Sequence, residues 1–100
     1  MLDFSRIEGF EWDEGNNRKS ADKHGVSPRE AEQVFVDPFV LIAADERHSE
    51  QEPRFHALGK TGAGRLLQVT FTLRRDETLI RVISARAAHR KERTIYGQET

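Results

Sequence analysis

The stretch from Leu79 to Tyr96 reads L-I-R-V-I-S-A-R-A-A-H-R-K-E-R-T-I-Y and holds four arginines. A guanidinium is permanently charged and offers paired N–H donors that match a phosphate. Arginines brought together would therefore hold a phosphodiester and stabilise the extra charge of a phosphorane. Cutting RNA without a metal needs, in addition, a base for the ribose 2′-hydroxyl proton and an acid for the departing 5′ oxygen. Arg54, Arg81 and Arg86 are the candidate cations. His48 or Glu52, both in the polar run D-E-R-H-S-E-Q-E-P from Asp45 to Pro53, are the candidates for proton transfer. Trp12 offers a ring on which a splayed base can stack, with a place in the core as its competing role. The arginines also have a plainer reading, because such stripes on a terminal helix are commonly a solvated face paired with acidic neighbours such as Glu92.

Those residues must be positioned by strands. Leu79 to Ala85 predicts one, and from about Arg86 the pattern turns helical, with Arg86, Arg90 and Arg93 at i, i+4 and i+7 on one helical face. Arg65 to Arg74 alternates cleanly, and Arg54 to Lys60 and Ile7 to Trp12 read as further strands. Phe39 to Ala44 is apolar almost throughout and reads as a buried strand, followed by an exposed loop that carries His48, Glu50 and Glu52. If Phe55, Ala57, Val69, Phe71, Ile80 and Val82 point inward, then Arg54, His56, Thr70, Thr72, Arg74 and Arg81 share the opposite face. That face is polar and basic, and arginines opposed on it repel unless an anion lies between them.

Asp13 suits the N-cap of a helix from about Glu14 to His24, closed by Gly25. Ser27-Pro28-Arg29-Glu30 combines a capping box with proline at the first helical position, opening a second helix that ends at Asp37-Pro38. The expected order is β-α-α-β-β-β-β-α, an α+β domain in which an antiparallel meander packs on helices. At 100 residues the chain has room for one such core, spanning about 7–96 of the single domain 1–100.

Net charge is -1, which by itself argues against a nucleic-acid binder. Residues 1–50, however, hold six Lys/Arg and twelve Asp/Glu, and residues 51–100 hold ten and five, so a basic face on a neutral molecule is available. The chain has no cysteine, and His24, His48, His56 and His89 are too scattered for a metal motif. No Gly-rich phosphate loop is present, so neither metal nor cofactor is expected. No apolar run spans a membrane, and Asp3, Arg6 and Glu8 interrupt any signal-peptide core, which makes the cytoplasm the expected compartment.

Six short blocks in collinear order are similar to the BrnT toxins of bacterial type II toxin–antitoxin modules. They are F-E-W-D (Phe10 to Asp13), K-H-G-V-S (Lys23 to Ser27), F-x-D-P (Phe35 to Pro38), D-x-x-H-S (Asp45 to Ser49), E-x-R (Glu52 to Arg54) and R-x-I-S-A-R (Arg81 to Arg86), the last followed by R-K-E-R. The resemblance implies a RelE-like fold and a toxin that inhibits translation by cutting RNA. It also implies a BrnA-type antitoxin with a ribbon-helix-helix DNA-binding part, in a complex of two toxins and two antitoxins that represses its operon by binding operator DNA. Matching positions are Trp12, Lys23, His48, Glu52, Arg54, Arg81 and Arg86. With Arg74 and Arg90 they give a catalytic set of His48, Glu52, Arg54, Arg81 and Arg86, and an RNA-binding set of Trp12, Lys23, Arg74 and Arg90. Asn16 and Ser20 depart from the family, which commonly carries lysine and asparagine there. The rival readings are a non-catalytic antitoxin-binding co-repressor and a degenerate toxin.

Overall fold

A computed structural model describes residues 3–48 and 51–97 of the chain. Its strands are β1 (Gly9–Phe10), β2 (Leu41–Ala44), β3 (Phe55–Lys60), β4 (Leu66–Arg74) and β5 (Leu79–Ala87). The helices are α1 (Lys19–His24), α2 (Pro28–Val34) and α3 (Arg90–Tyr96), with 3-10 turns at Phe4–Arg6 and Glu46–His48. The strands form one sheet in the order β1-β5-β4-β3-β2. Strands β2 to β5 are an antiparallel meander, but β1 runs parallel to β5, so the sheet is mixed rather than purely antiparallel. The reason is topological: the chain leaves β1, crosses to the far edge through α1 and α2, and returns by hairpins to lie beside its own start.

Inward parity holds where the alternation is clean. Ala57, Val69, Phe71, Ile80 and Val82 are buried and pack with Val26, Ala31 and Val34 of the helical layer. Phe71 anchors this layer, with Phe35 edge-on at 5.0 Å and Phe55 at 5.5 Å between ring centroids. Gly59 is needed for the close approach of α2, since a Cβ there would stand 3.0 Å from the Val34 carbonyl oxygen. The capping box at Ser27 and Glu30 forms with Pro28 at the helix start, and Gly25 closes α1 at φ 67°. A smaller apolar cluster of Leu58, Leu66 and Ala88, with Tyr96 against it, covers one end of the opposite sheet face beneath α3.

Four further expectations are corrected. Residues 14–18 are turns and α1 begins only at Lys19. Gly15, Asn16 and Asn17 are poor helix formers, and the Asp13 carboxylate accepts from the Gly15 N–H rather than capping a helix at Glu14. The run Phe39 to Ala44 is not buried: β2 is the edge strand, with Phe39 73% and Leu41 41% exposed. An apolar run records hydrophobicity but not which edge of the sheet it occupies.

The third and fourth corrections concern the arginine stretch. Strand β5 continues through Arg86 to Ala87, and α3 starts at Arg90. Arg86, Arg90 and Arg93 therefore share no helical face, and no basic helix flanks the sheet from Arg86 onward. Pairing with β4 holds this segment extended, and the Glu92 carboxylate accepts from the His89 N–H at 2.7 Å to set the true helix start. Within the loop after β2, positions 49–50, including Glu50, lie outside the described residues.

Candidate active site

Arg81 and Arg86 are an odd number of residues apart, so a regular strand would send them to opposite faces. A bulge prevents this. Thr70 pairs with Ser84 and Phe71 with Val82, leaving Ile83 without a partner and bringing Arg81, Ser84 and Arg86 to the face of Thr72, Thr70 and Gln68. The outer edge of β5 beyond the two-residue β1 is completed by backbone and side chains. Glu11 N–H donates to the Ile80 carbonyl, Asn16 Nδ2 to those of Val82 and Glu11, and the Ala85 N–H donates to Ser20 Oγ at 2.7 Å. Asn16 and Ser20 thus hold the bulged strand.

The arginines on this face are matched by carboxylates of the same chain. Arg81 donates to Glu11 at 2.9 Å and clasps both oxygens of Asp13 at 2.9 and 3.1 Å. Its hydrogen bond, followed by that of the Gly15 N–H, holds the Asp13 carboxyl below its ordinary range. Arg74 bridges Glu52 at 3.1 Å and Glu11 at 3.6 Å. Arg86 meets Glu92 through two bonds of 2.8 Å each, and the amide of Gln68, oriented to donate to Glu92 and accept from Arg86, joins them. The anions expected between opposed arginines are therefore supplied by Glu11, Asp13, Glu52 and Glu92.

At the β2 side of the same face the chemistry is different. Asp45, buried at the end of β2, accepts from His48 Nδ1 at 3.1 Å and from His56 Nε2 at 3.2 Å. Burial pushes its carboxyl up, but the hydrogen bond from His48 and the charges of His56 and His48 outweigh that and leave it below the usual range. His56 Nδ1 in turn meets Thr70 Oγ1 at 2.9 Å. The His48 side chain is 65% exposed and, with Arg47, Gln51, Glu52 and Arg54, lines an open cleft of about 230 Å³.

Of the catalytic set read from the sequence, His48, Glu52 and Arg54 meet at this cleft. Arg81 and Arg86 stand on the same sheet face but do not line it. Arg74 touches the cleft through Glu52. Lys23 is exposed on α1, which packs on β5 at the other side of the sheet, and Arg90 is exposed at the start of α3. Trp12 packs against the main core and its indole N–H donates to Glu32 at 2.7 Å, the core role left open for it. Asp45, Arg47 and His56 were not among the site residues, although parity placed His56 on this face and Asp45 opens the D-x-x-H block. Among the described residues no group of three or more His, Asp or Glu side chains is disposed to hold a metal ion.

The protein is thus a small α+β domain whose mixed five-stranded sheet carries on one face an open cleft lined by a histidine, a carboxylate and two arginines. Residues 12–92 match the family described as the ribonuclease toxin BrnT of type II toxin–antitoxin systems, and the chain belongs to that family. Among solved structures it is similar to the Brucella abortus ribonuclease toxin BrnT, with a TM-score of 0.63 and 20% sequence identity, over 84% of this chain and 100% of that one. No curated protein matches its sequence. No helix among the described residues is long and apolar enough to cross a membrane.

Proposed function

We propose that the chain is a metal-independent endoribonuclease, acting in the bacterial cytoplasm as a single RelE-like toxin domain that inhibits translation by cutting RNA. The observation that carries this reading is the meeting of His48, Glu52, Arg47 and Arg54 around one open cleft in a member of a ribonuclease toxin family. A phosphodiester seated between the two arginines has its charge balanced by guanidinium donors. The 2′-hydroxyl proton passes to His48 or Glu52, the 2′ oxygen bonds to phosphorus, and the bond to the 5′ oxygen breaks as that oxygen is protonated. The products are a cyclic phosphate and a 5′-hydroxyl end. Arg74, Arg81 and Arg86 serve flanking phosphates, exchanging chain carboxylates for RNA, while Lys23 and Arg90 add outlying charge.

The partner in this reading is a BrnA-type antitoxin with a ribbon-helix-helix part, in a complex of two toxins and two antitoxins that reaches operator DNA through the antitoxin. Acidic antitoxin side chains between Arg47 and Arg54 would neutralise the cleft. The test is purified chain, freed of partner, incubated with total RNA in excess EDTA beside Arg54→Ala of confirmed fold. Cleavage by the wild type, reduced on the order of 100-fold or more in the variant, supports the reading. Equal cleavage by both would remove Arg54 from the site. Absence of both cleavage and toxicity on expression would favour a co-repressor without catalysis.

A further inference from the structure

We infer that Asp45 is the positioning carboxylate that makes His48 the general base of the cleft, with His56 holding that carboxylate from its other side. The inference rests on the ribonuclease reading and divides a role which that reading leaves shared between His48 and Glu52.

With both imidazoles neutral, the hydrogen bonds around Asp45 assign each proton. Asp45, as a carboxylate, only accepts. It takes the Nδ1 proton of His48 at 3.1 Å and the Nε2 proton of His56 at 3.2 Å. With its proton on Nε2, neutral His56 must accept at Nδ1, and Thr70 Oγ1 stands there at 2.9 Å to donate. The Arg47 N–H also donates to Asp45, which ties the carboxylate to the 3-10 turn that carries His48. These contacts fix Asp45 in place, and its effect on His48 is to set the tautomer with Nε2 unprotonated. The ring lines the cleft and is largely exposed, so that nitrogen is the one open to a substrate hydroxyl.

Glu52 is placed differently. Its carboxylate is engaged by Arg74 Nη2 at 3.1 Å, which turns that oxygen toward the arginine, and among the described residues it has no partner that would orient it as Asp45 orients His48. Proton transfer in the cleft then runs from the ribose 2′-hydroxyl to His48 Nε2. The 2′ oxygen bonds to phosphorus, the bond to the 5′ oxygen breaks, and the 5′ oxygen takes a proton from water at the open mouth. The resulting imidazolium is stabilised by the Asp45 charge directly behind it, as in other carboxylate–histidine pairs. Among the described residues, the charged groups facing His48 are Asp45 on one side and Arg47, Glu52 and Arg54 across the cleft; His56 faces it through Asp45.

Two measurements on the full chain test this. Nitrogen-15 NMR of the imidazoles at neutral pH reads the His48 tautomer without any variant, and should find the proton on Nδ1. The pH profile of cleavage of a ribo-oligonucleotide is then compared for wild type, Asp45→Asn, His56→Gln and Glu52→Gln. Asp45→Asn should lower kcat roughly 10²- to 10⁴-fold with KM changed by less than about threefold. Its acid limb should also move to lower pH by roughly one unit, because the carboxylate that favoured the imidazolium is gone. His56→Gln should show a smaller loss in the same direction, and Glu52→Gln, a change at a residue with no direct bond to His48, should move the acid limb less than Asp45→Asn does.

A proton on Nε2 of His48, or an Asp45→Asn variant with unchanged kcat and limb, would overturn the inference even if the enzyme cuts RNA. So would an acid limb that moves only in Glu52→Gln. The stated tautomer in a wild-type chain that cuts no RNA would instead overturn the ribonuclease reading, and the general base with it.

Discussion

Glu92, in the first turn of α3, grips Arg86 of β5 through two parallel bonds of 2.8 Å while accepting from the His89 N–H that begins the helix. One carboxylate thus fixes both the orientation of the arginine and the helix start. The Arg86 hydrogen bonds, against the opposing effect of burial, lower its pKa from 4.5 to about 2. A lowered carboxylate pKa stabilises the fold above the unfolded value, and that contribution fades as pH falls from about 4.5 toward 2. Urea midpoints across this range should decline in the wild type. Glu92→Gln should cost about 1–2 kcal/mol at neutral pH, and the two proteins should converge below about pH 2.

Asn16 makes a second prediction. It is buried, with Nδ2 donating to the carbonyls of Glu11 and Val82 and Oδ1 accepting from the Asp13 N–H at 2.8 Å. Asn16→Ala leaves two carbonyls and an amide without these bonds and should cost about 2–3 kcal/mol by denaturant unfolding. The loss should loosen the bulge at Ile83. Backbone amide exchange would then be faster at Val82 to Ala85 than in the core strands β3 and β4.

How much of this was legible follows from where each signal resides. The alternation of β4 and the cap at Ser27 are local, and both appear where the sequence puts them. The face of Arg86 was not, because it depends on whether Ile83 is counted in the pleat. That is decided by the pairing of Thr70 with Ser84 and Phe71 with Val82, a relation between two strands. Nor do the partners of the arginines show in any spacing: Arg81 meets Asp13 across 68 positions, through the parallel strand β1. The cleft was half visible. His48, Glu52 and Arg54 fall in one short stretch of chain, whereas His56 joins Asp45 only because β2 and β3 pair antiparallel.

The hairpin between β4 and β5 predicts a gain. Arg75, Asp76 and Glu77 all have left-handed φ, at 53°, 57° and 67°, a conformation that costs a side-chain-bearing residue about 1–2 kcal/mol. The Glu77 side chain is 62% exposed, and its ion pair with Arg6 spans 3.7 Å at the surface. Glu77→Gly should relieve the strain, partly offset by the greater freedom of glycine in the unfolded chain. The expected net stabilisation is about 0.5 kcal/mol, seen as a Tm higher by roughly 2–4 °C. A lower Tm would mean that the Glu77 side chain outweighs the backbone strain.

Tyr96 predicts the alkaline limit of the fold. It is the one tyrosine of the chain, so phenolate absorbance reports it alone. Its hydroxyl donates to Asp37 at 2.5 Å, and its ring packs on the cluster of Leu58, Leu66 and Ala88 that seats α3. Burial, then the hydrogen bond and charge of Asp37, push its pKa up from 10.0 to about 12. A raised tyrosine pKa means that the neutral form is favoured by folding. The stabilisation is therefore complete below the unfolded value near 10 and is lost as pH climbs toward 12. The absorbance midpoint should lie near 12 in the native chain and near 10 in urea. Tyr96→Phe should cost about 1 kcal/mol at neutral pH and flatten the dependence of stability on pH between those values. A native midpoint near 10 would mean that the Asp37 contact does not hold α3 against the sheet in solution.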